Sequence, residues 1–281
     1  MFRSFSLRVS GQTWTADRPV IVGILNSTPD SFYAGSRVAS SDAAETQAEA
    51  LLTGGAQWLD LGGCSTRPGA EIPSLEEEWR RVKPALARII QRFPTTPVSI
   101  DTFRGEIAFR ALQEGASMIN DVSGGSLDPS IWTVAAQTKV PYILTHYPAG
   151  HSPSTMQESA LTKENVMADI QHYFHRHLQE LRQLGVEQVL MDPGLGFGKT
   201  LEANYRVLKD LQALHDLGAP LYIGLSRKSM LWKHLDRSPD TVLPATSALH
   251  LYALERGAQI LRVHDAQEAA DVVKLWETLN K

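Results

Sequence analysis

The chain is 281 residues long, 43% hydrophobic and 21% charged, with a formal net charge of -4. That is globular composition with length for a sizeable core, and a mildly acidic balance without a basic tail argues against nucleic-acid binding. The single cysteine, Cys64, fits a reducing cytoplasm, and no apolar run suits a signal peptide or the ~18 residues of a membrane helix.

A short N-terminal hairpin precedes the first β-rich run, "PVIVGIL" (19–25), which ends on Asn26. Asp42 with Glu45 then reads as a capping box opening a helix. The second run, "AQWLDL" (56–61), carries Asp60 near its end. Ser74 with Glu77 opens the next helix, where Leu75, Trp79, Val82, Leu86, Ile89 and Ile90 share one face. Pro84 should kink or split that helix. The runs "PVSI" (97–100) and "ASMIN" (116–120) follow, leading to Asp101 and to Asn120 with Asp121. "PYILTH" (141–146) ends on His146, for which loop hydrogen bonding and ligand contact are equally open readings. "HYFHRH" puts His172, His175 and His177 on a helix at offsets that cannot all face one ligand, so a solvated face is expected there rather than a metal site.

"EQVLMD" (187–192) leads into "MDPGLGFGKT", which nearly spells a Walker A loop. That motif needs a glycine where Pro193 stands, and Gly194 comes one residue late, so an ATPase is rejected. The last runs are "PLYIGLS" (220–226), before Arg227 and Lys228, and "AQILRVH" (258–264), with Arg262 and His264. Eight apolar runs alternating with helical stretches predict a parallel sheet covered by helices. The count fits a (β/α)₈ TIM barrel in one domain, residues 1–281, with a doubly wound open sheet as the alternative.

In a barrel the strand ends form the active-site mouth. Here they bring acids and amides from the third, fourth and sixth runs together with cations from the seventh and eighth. Carboxylates can take paired N–H groups from an amidine-like ring edge, while Lys228, Arg262 and His264 resemble a phosphate or diphosphate site. The ligand inferred is flat and donor-rich at one end and anionic at the other.

The blocks "GILNSTPDSF" (23–32), "STRPGA" (65–70), "SIDTFR" (99–104), "INDVSGG" (119–125), "DPGLGFGK" (192–199), "GLSRKS" (224–229) and "LRVHD" (261–265) resemble the dihydropteroate synthase family, in its order. The resemblance implies a cytoplasmic, usually homodimeric (β/α)₈ transferase of folate biosynthesis. Its substrates are small molecules, a dihydropterin diphosphate and p-aminobenzoate. It implies a pterin pocket of Asp101, Asn120, Asp192, Lys228 and Arg262, and a diphosphate site of Asn26, Thr66, Arg262 and His264. Asn26 would lie near a Mg²⁺. Thr66, Arg67, Pro68, Phe197 and Ser226 would border p-aminobenzoate, and Asp101, Lys228, Arg262 and Arg67 are the catalytic candidates. Lys199 receives no role.

Four places depart from the family pattern. Cys64 stands where "GESTRPG" has its glutamate, and Ser27 replaces a usual valine. "DSFYAGSR" lacks the first-loop acid, with Ala34 and Gly35 in that region, and "THYPAG" replaces "MHMQG". Two other readings remain. One is a pterin-binding paralogue with weak or no synthase activity; the other is a methyltetrahydrofolate-type methyltransferase, which would need no diphosphate cradle.

Overall fold

The computed structural model describes residues 2–27, 37–64, 71–147, 155 and 160–280, without the side chains of 37–41. Strands β1 (Phe5–Val9) and β2 (Gln12–Ala16) form the antiparallel hairpin. Eight parallel strands follow: β3 (Val20–Asn26), β4 (Trp58–Gly62), β5 (Val98–Asp101), β6 (Met118–Asp121), β7 (Tyr142–Thr145), β8 (Val189–Asp192), β9 (Tyr222–Ile223) and β10 (Ile260–Val263). They pair in the order β8-β7-β6-β5-β4-β3-β10-β9. Met191 N donates to Pro220 O at 2.8 Å, and a parallel bridge from Met191 to Leu221 joins β8 to β9. The sheet therefore closes into a barrel, and the open-sheet alternative falls.

Around the barrel lie α1 (Arg37–Thr53), α2 (Leu75–Arg92), α3 (Gly105–Gln113), α4 (Ser130–Thr138), α5 (Val166–Gln183), α6 (Leu201–Lys209), α7 (Ser229–Trp232), α8 (Leu243–Glu255) and α9 (Ala266–Leu279). Strand side chains alternate between two apolar sets, as period two requires. Leu59, Leu61, Ile100, Ile119, Leu144, Met191, Ile223 and Leu261 face the helices. Val22, Trp58, Met118, Ile143, Leu190, Tyr222 and Ile260 fill the lower barrel, where Leu7, Val9 and Ala16 of the hairpin join them. Trp14 packs on Trp58 with ring centroids 4.8 Å apart, so the hairpin plugs the barrel floor.

Two local expectations change. Ser74 does cap α2, accepting from Glu77 N at 3.2 Å, but Pro84 does not split the helix. An interior proline costs about 3 kcal/mol. Val82, Leu86 and Ile89 are fully buried beside it, and each such burial contributes roughly 1.5–3 kcal/mol, so packing wins. Asp42 and Glu45 lie inside α1, which begins at Arg37, and are not its cap. Both carboxylates instead pair with Arg88 of α2.

Candidate active site

Two residues above the barrel floor, the inward positions turn polar. Trp58 is followed by Asp60, Met118 by Asn120, Leu190 by Asp192 and Ile260 by Arg262, and each of these points up the same lumen. Arg262 spans two acids: Nε donates to Asp60 Oδ2 at 2.6 Å and Nη2 to Asp101 Oδ2 at 2.7 Å. Asn120 Nδ2 donates to the same Asp60 oxygen at 2.9 Å, and Ser99 Oγ donates to Asp60 Oδ1 at 2.5 Å. Asp60 is wholly buried. Burial, with the neighbouring Asp60 and Glu78 carboxylates, pushes Asp101 above the usual carboxylate range, although Arg262 pulls it down. Two acids facing one guanidinium carry a surplus negative charge, so Asp101 takes a proton before ordinary surface acids do. Burial also raises Asp192, against the pull of Lys228.

The loop between β8 and α6 crosses this mouth. Gly194 (φ 65°) and Gly196 (φ 87°) take left-handed conformations that a side chain resists. A Cβ on Gly194 would sit 2.3 Å from His146 O. Gly194 N donates to Asp192 Oδ1 at 2.8 Å, tying the loop to the strand end. Phe197 joins Tyr147, Val122 and Phe103 in a small apolar cluster. Lys228 Nζ donates to Leu195 O at 2.5 Å and lies 4.8 Å from the Phe197 ring centroid. Burial lowers Lys228 to about 8, against the pull of Asp192.

At the rim, Ser226 Oγ accepts from His264 N at 3.3 Å and lies 3.2 Å from His264 Nδ1. Asn26 ends β3 half-buried, opposite Gly62. Arg227 (φ 55°) turns away and grips Asp265 with two hydrogen bonds of 2.9 and 2.6 Å. Thr66, Arg67 and Pro68 lie outside the described residues, as do Ala34 and Gly35.

The strand-end residues that do not join the mouth have other partners. Asp121 accepts from Ser123 N, Ser123 Oγ, Gly125 N and Tyr142 OH at 2.6–2.8 Å, which closes a turn. His146 is fully buried between Asp169 and Lys199. His177 is buried too and does not share the solvated face expected of it; its ring stacks on Tyr173 at 3.9 Å. Among the described residues, no three His, Cys, Asp or Glu side chains are grouped to hold a metal ion.

Motif reading left two lining residues out of the site. Asp60 shows itself by strand phase, since it stands two residues after Trp58 just as Asn120 stands two after Met118. Tyr147, 3% exposed, fills the wall where the family pattern has a methionine, and only the three-dimensional packing against Phe197 reveals it.

Comparison with known proteins identifies the family. The sequence pattern of the pterin binding enzymes matches residues 22–264. The dihydropteroate synthase of Synechocystis sp. is 42% identical over 265 residues, covering 93% of this chain and 90% of that one. The Yersinia pestis dihydropteroate synthase, solved with a sulfonamide drug, superposes with a TM-score of 0.90 at 36% identity, covering 98% of this chain and 99% of the other. The Xanthomonas albilineans enzyme, solved with 7,8-dihydropteroate, gives a TM-score of 0.85 at 34% identity over 98% of both chains. By fold, by site and by near full-length similarity, the chain belongs to the dihydropteroate synthases of the pterin-binding enzyme family.

Proposed function

We propose that this chain joins 6-hydroxymethyl-7,8-dihydropterin diphosphate to p-aminobenzoate, releasing diphosphate, as a dihydropteroate synthase of folate biosynthesis. One observation carries the reading: acids from β4, β5 and β8 and cations at the ends of β9 and β10 converge on a single lumen. A ring with an amidine edge and an anionic tail suits that arrangement. Asn120 and Asp192 take the pterin amino and ring N–H groups, and Lys228 donates to the ring carbonyl. Arg262, held flat by Asp60 and Asp101, lies across the pterin face and meets the diphosphate. Asn26, Thr66 and His264 complete the diphosphate site. Phe197 and Ser226, with Thr66, Arg67 and Pro68, border the arylamine.

The methylene C–O bond breaks first, and its electron pair leaves with the diphosphate. The buried acids steady the pterin methylene cation, the arylamine nitrogen then attacks it, and that nitrogen loses one proton. A magnesium ion fits the donor chemistry present, because the Asn26 amide is a hard oxygen and Mg²⁺ takes most of its shell from water and substrate phosphates. When bound, it would neutralise charge on the leaving diphosphate. We also assign the chain to the cytoplasm, and to a homodimer, the mass of which light scattering on purified protein would test. A methyltransferase reading finds no use for the cations at the β9 and β10 ends.

The direct test supplies both substrates and Mg²⁺ and follows dihydropteroate and diphosphate, with a sulfonamide as competitor. Stoichiometric release of both products is expected, with the sulfonamide raising the apparent KM for p-aminobenzoate. Protein that binds the dihydropterin diphosphate yet makes no dihydropteroate is a pterin-binding paralogue instead.

A further inference from the structure

Lys199 is a buried amine, which burial lowers to about 7 against the pull of Asp192. It is 4% exposed, and its Nζ donates to Gly194 O at 2.8 Å and to Phe197 O at 3.0 Å, with His146 Nδ1 also 3.0 Å away. For that imidazole nitrogen to accept, the ring proton must sit on Nε2. There it meets Asp169 Oδ2 at 2.9 Å, on α5, where the carboxylate is 47% exposed. Burial and the nearby Lys199 charge hold His146 down at about 3, so the ring stays neutral. Carboxylate, imidazole and lysine amine thus form a line from the outer surface to two carbonyls of the β8–α6 loop.

The loop between those carbonyls has little stiffness of its own, since Gly194, Gly196 and Gly198 all take left-handed conformations. Its carbonyls at Gly194, Leu195 and Phe197 are held by two lysines, Lys199 at Gly194 and Phe197 and Lys228 at Leu195, while Asn204 Oδ1 accepts from Gly196 N and Leu161 N donates to Gly198 O. Asp192 takes one side-chain bond from the loop, from Gly194 N, but its backbone belongs to β8 and is held in register opposite Thr145 of β7. Loss of the Lys199 contacts therefore displaces the Phe197 backbone more than the pterin-facing acid.

We propose that Lys199, oriented by His146 and Asp169, is a positioning residue that sets the Phe197 ring as the wall of the arylamine subsite. It governs affinity for the second substrate and not for the pterin. This rests on the synthase reading above.

The test is two-substrate kinetics with direct binding of the dihydropterin diphosphate, on wild type, Lys199→Met, Phe197→Ala and the double variant. Lys199→Met is expected to raise the p-aminobenzoate KM about tenfold, with kcat and pterin-diphosphate affinity changed less than about threefold. In the Phe197→Ala background the same substitution should add nothing, since the two act as one unit. Asp169→Asn, at a half-exposed position, should raise that KM about threefold and applies the same criteria if Lys199→Met does not fold. An unchanged arylamine KM, a rise just as large without Phe197, or an equal loss of pterin affinity overturns the proposal. Wild-type protein that forms no dihydropteroate removes the synthase reading, and this inference with it.

Discussion

Without the Asp60 carboxylate, the Arg262 guanidinium has one acid in place of two, and Asn120 loses its acceptor. Asp60→Ala should therefore lower pterin-diphosphate affinity about 10- to 100-fold, corresponding to one to two charge-assisted hydrogen bonds. Calorimetric binding checks it, and wild-type affinity would separate Asp60 from the site. Lys228 gives a pH signature. Burial holds it at about 8, so it is charged and able to donate below that pH and neutral above it. kcat/KM for the pterin diphosphate should thus fall about tenfold per pH unit above pH 8. In Lys228→Gln that alkaline limb should vanish from a lowered plateau.

At the scale of elements, the β8–α6 loop is held in place by its contacts rather than by its own backbone. Gly194→Ala puts a Cβ against His146 O in a left-handed backbone, which should cost about 1–3 kcal/mol of stability. Urea unfolding measures the loss, and the arylamine KM should rise with it. The strands themselves were legible from composition, because apolar runs bounded by turns and helical stretches have few other structural solutions. The directions of individual side chains were harder to read. Asp60, Asp121 and His146 all look like strand-end polar residues, yet only Asp60 shares the inward phase of Asn120 and Arg262. Lys199 receives no role from the sequence because spacing records neither its burial nor its carbonyl partners. The start of α1 was hidden for a related reason: Asp42 and Glu45 have cap-like spacing, but their interhelical partner Arg88 lies far along the chain.

Across the whole molecule, buried neutral histidines couple folding to acid. His250 is 2% exposed in α8, and burial holds its pKa at about 4 despite the nearby Asp265 carboxylate. As pH falls below the unfolded value of about 6.5, the unfolded chain gains a proton that the folded chain refuses until about pH 4, so stability drops. His250→Leu should lose about 1 kcal/mol less stability per pH unit between pH 6 and pH 5 than wild type. Denaturant midpoints at the two pH values test this, and parallel slopes would rule it out. The hairpin beneath the barrel has a different consequence. Among the described residues, Leu7, Val9 and Trp14 close the lower end, so the chamber opens toward the strand-end mouth. Whatever seats deepest must arrive first and depart last, so the itinerary of reactants is written by a plug at the opposite pole from the chemistry.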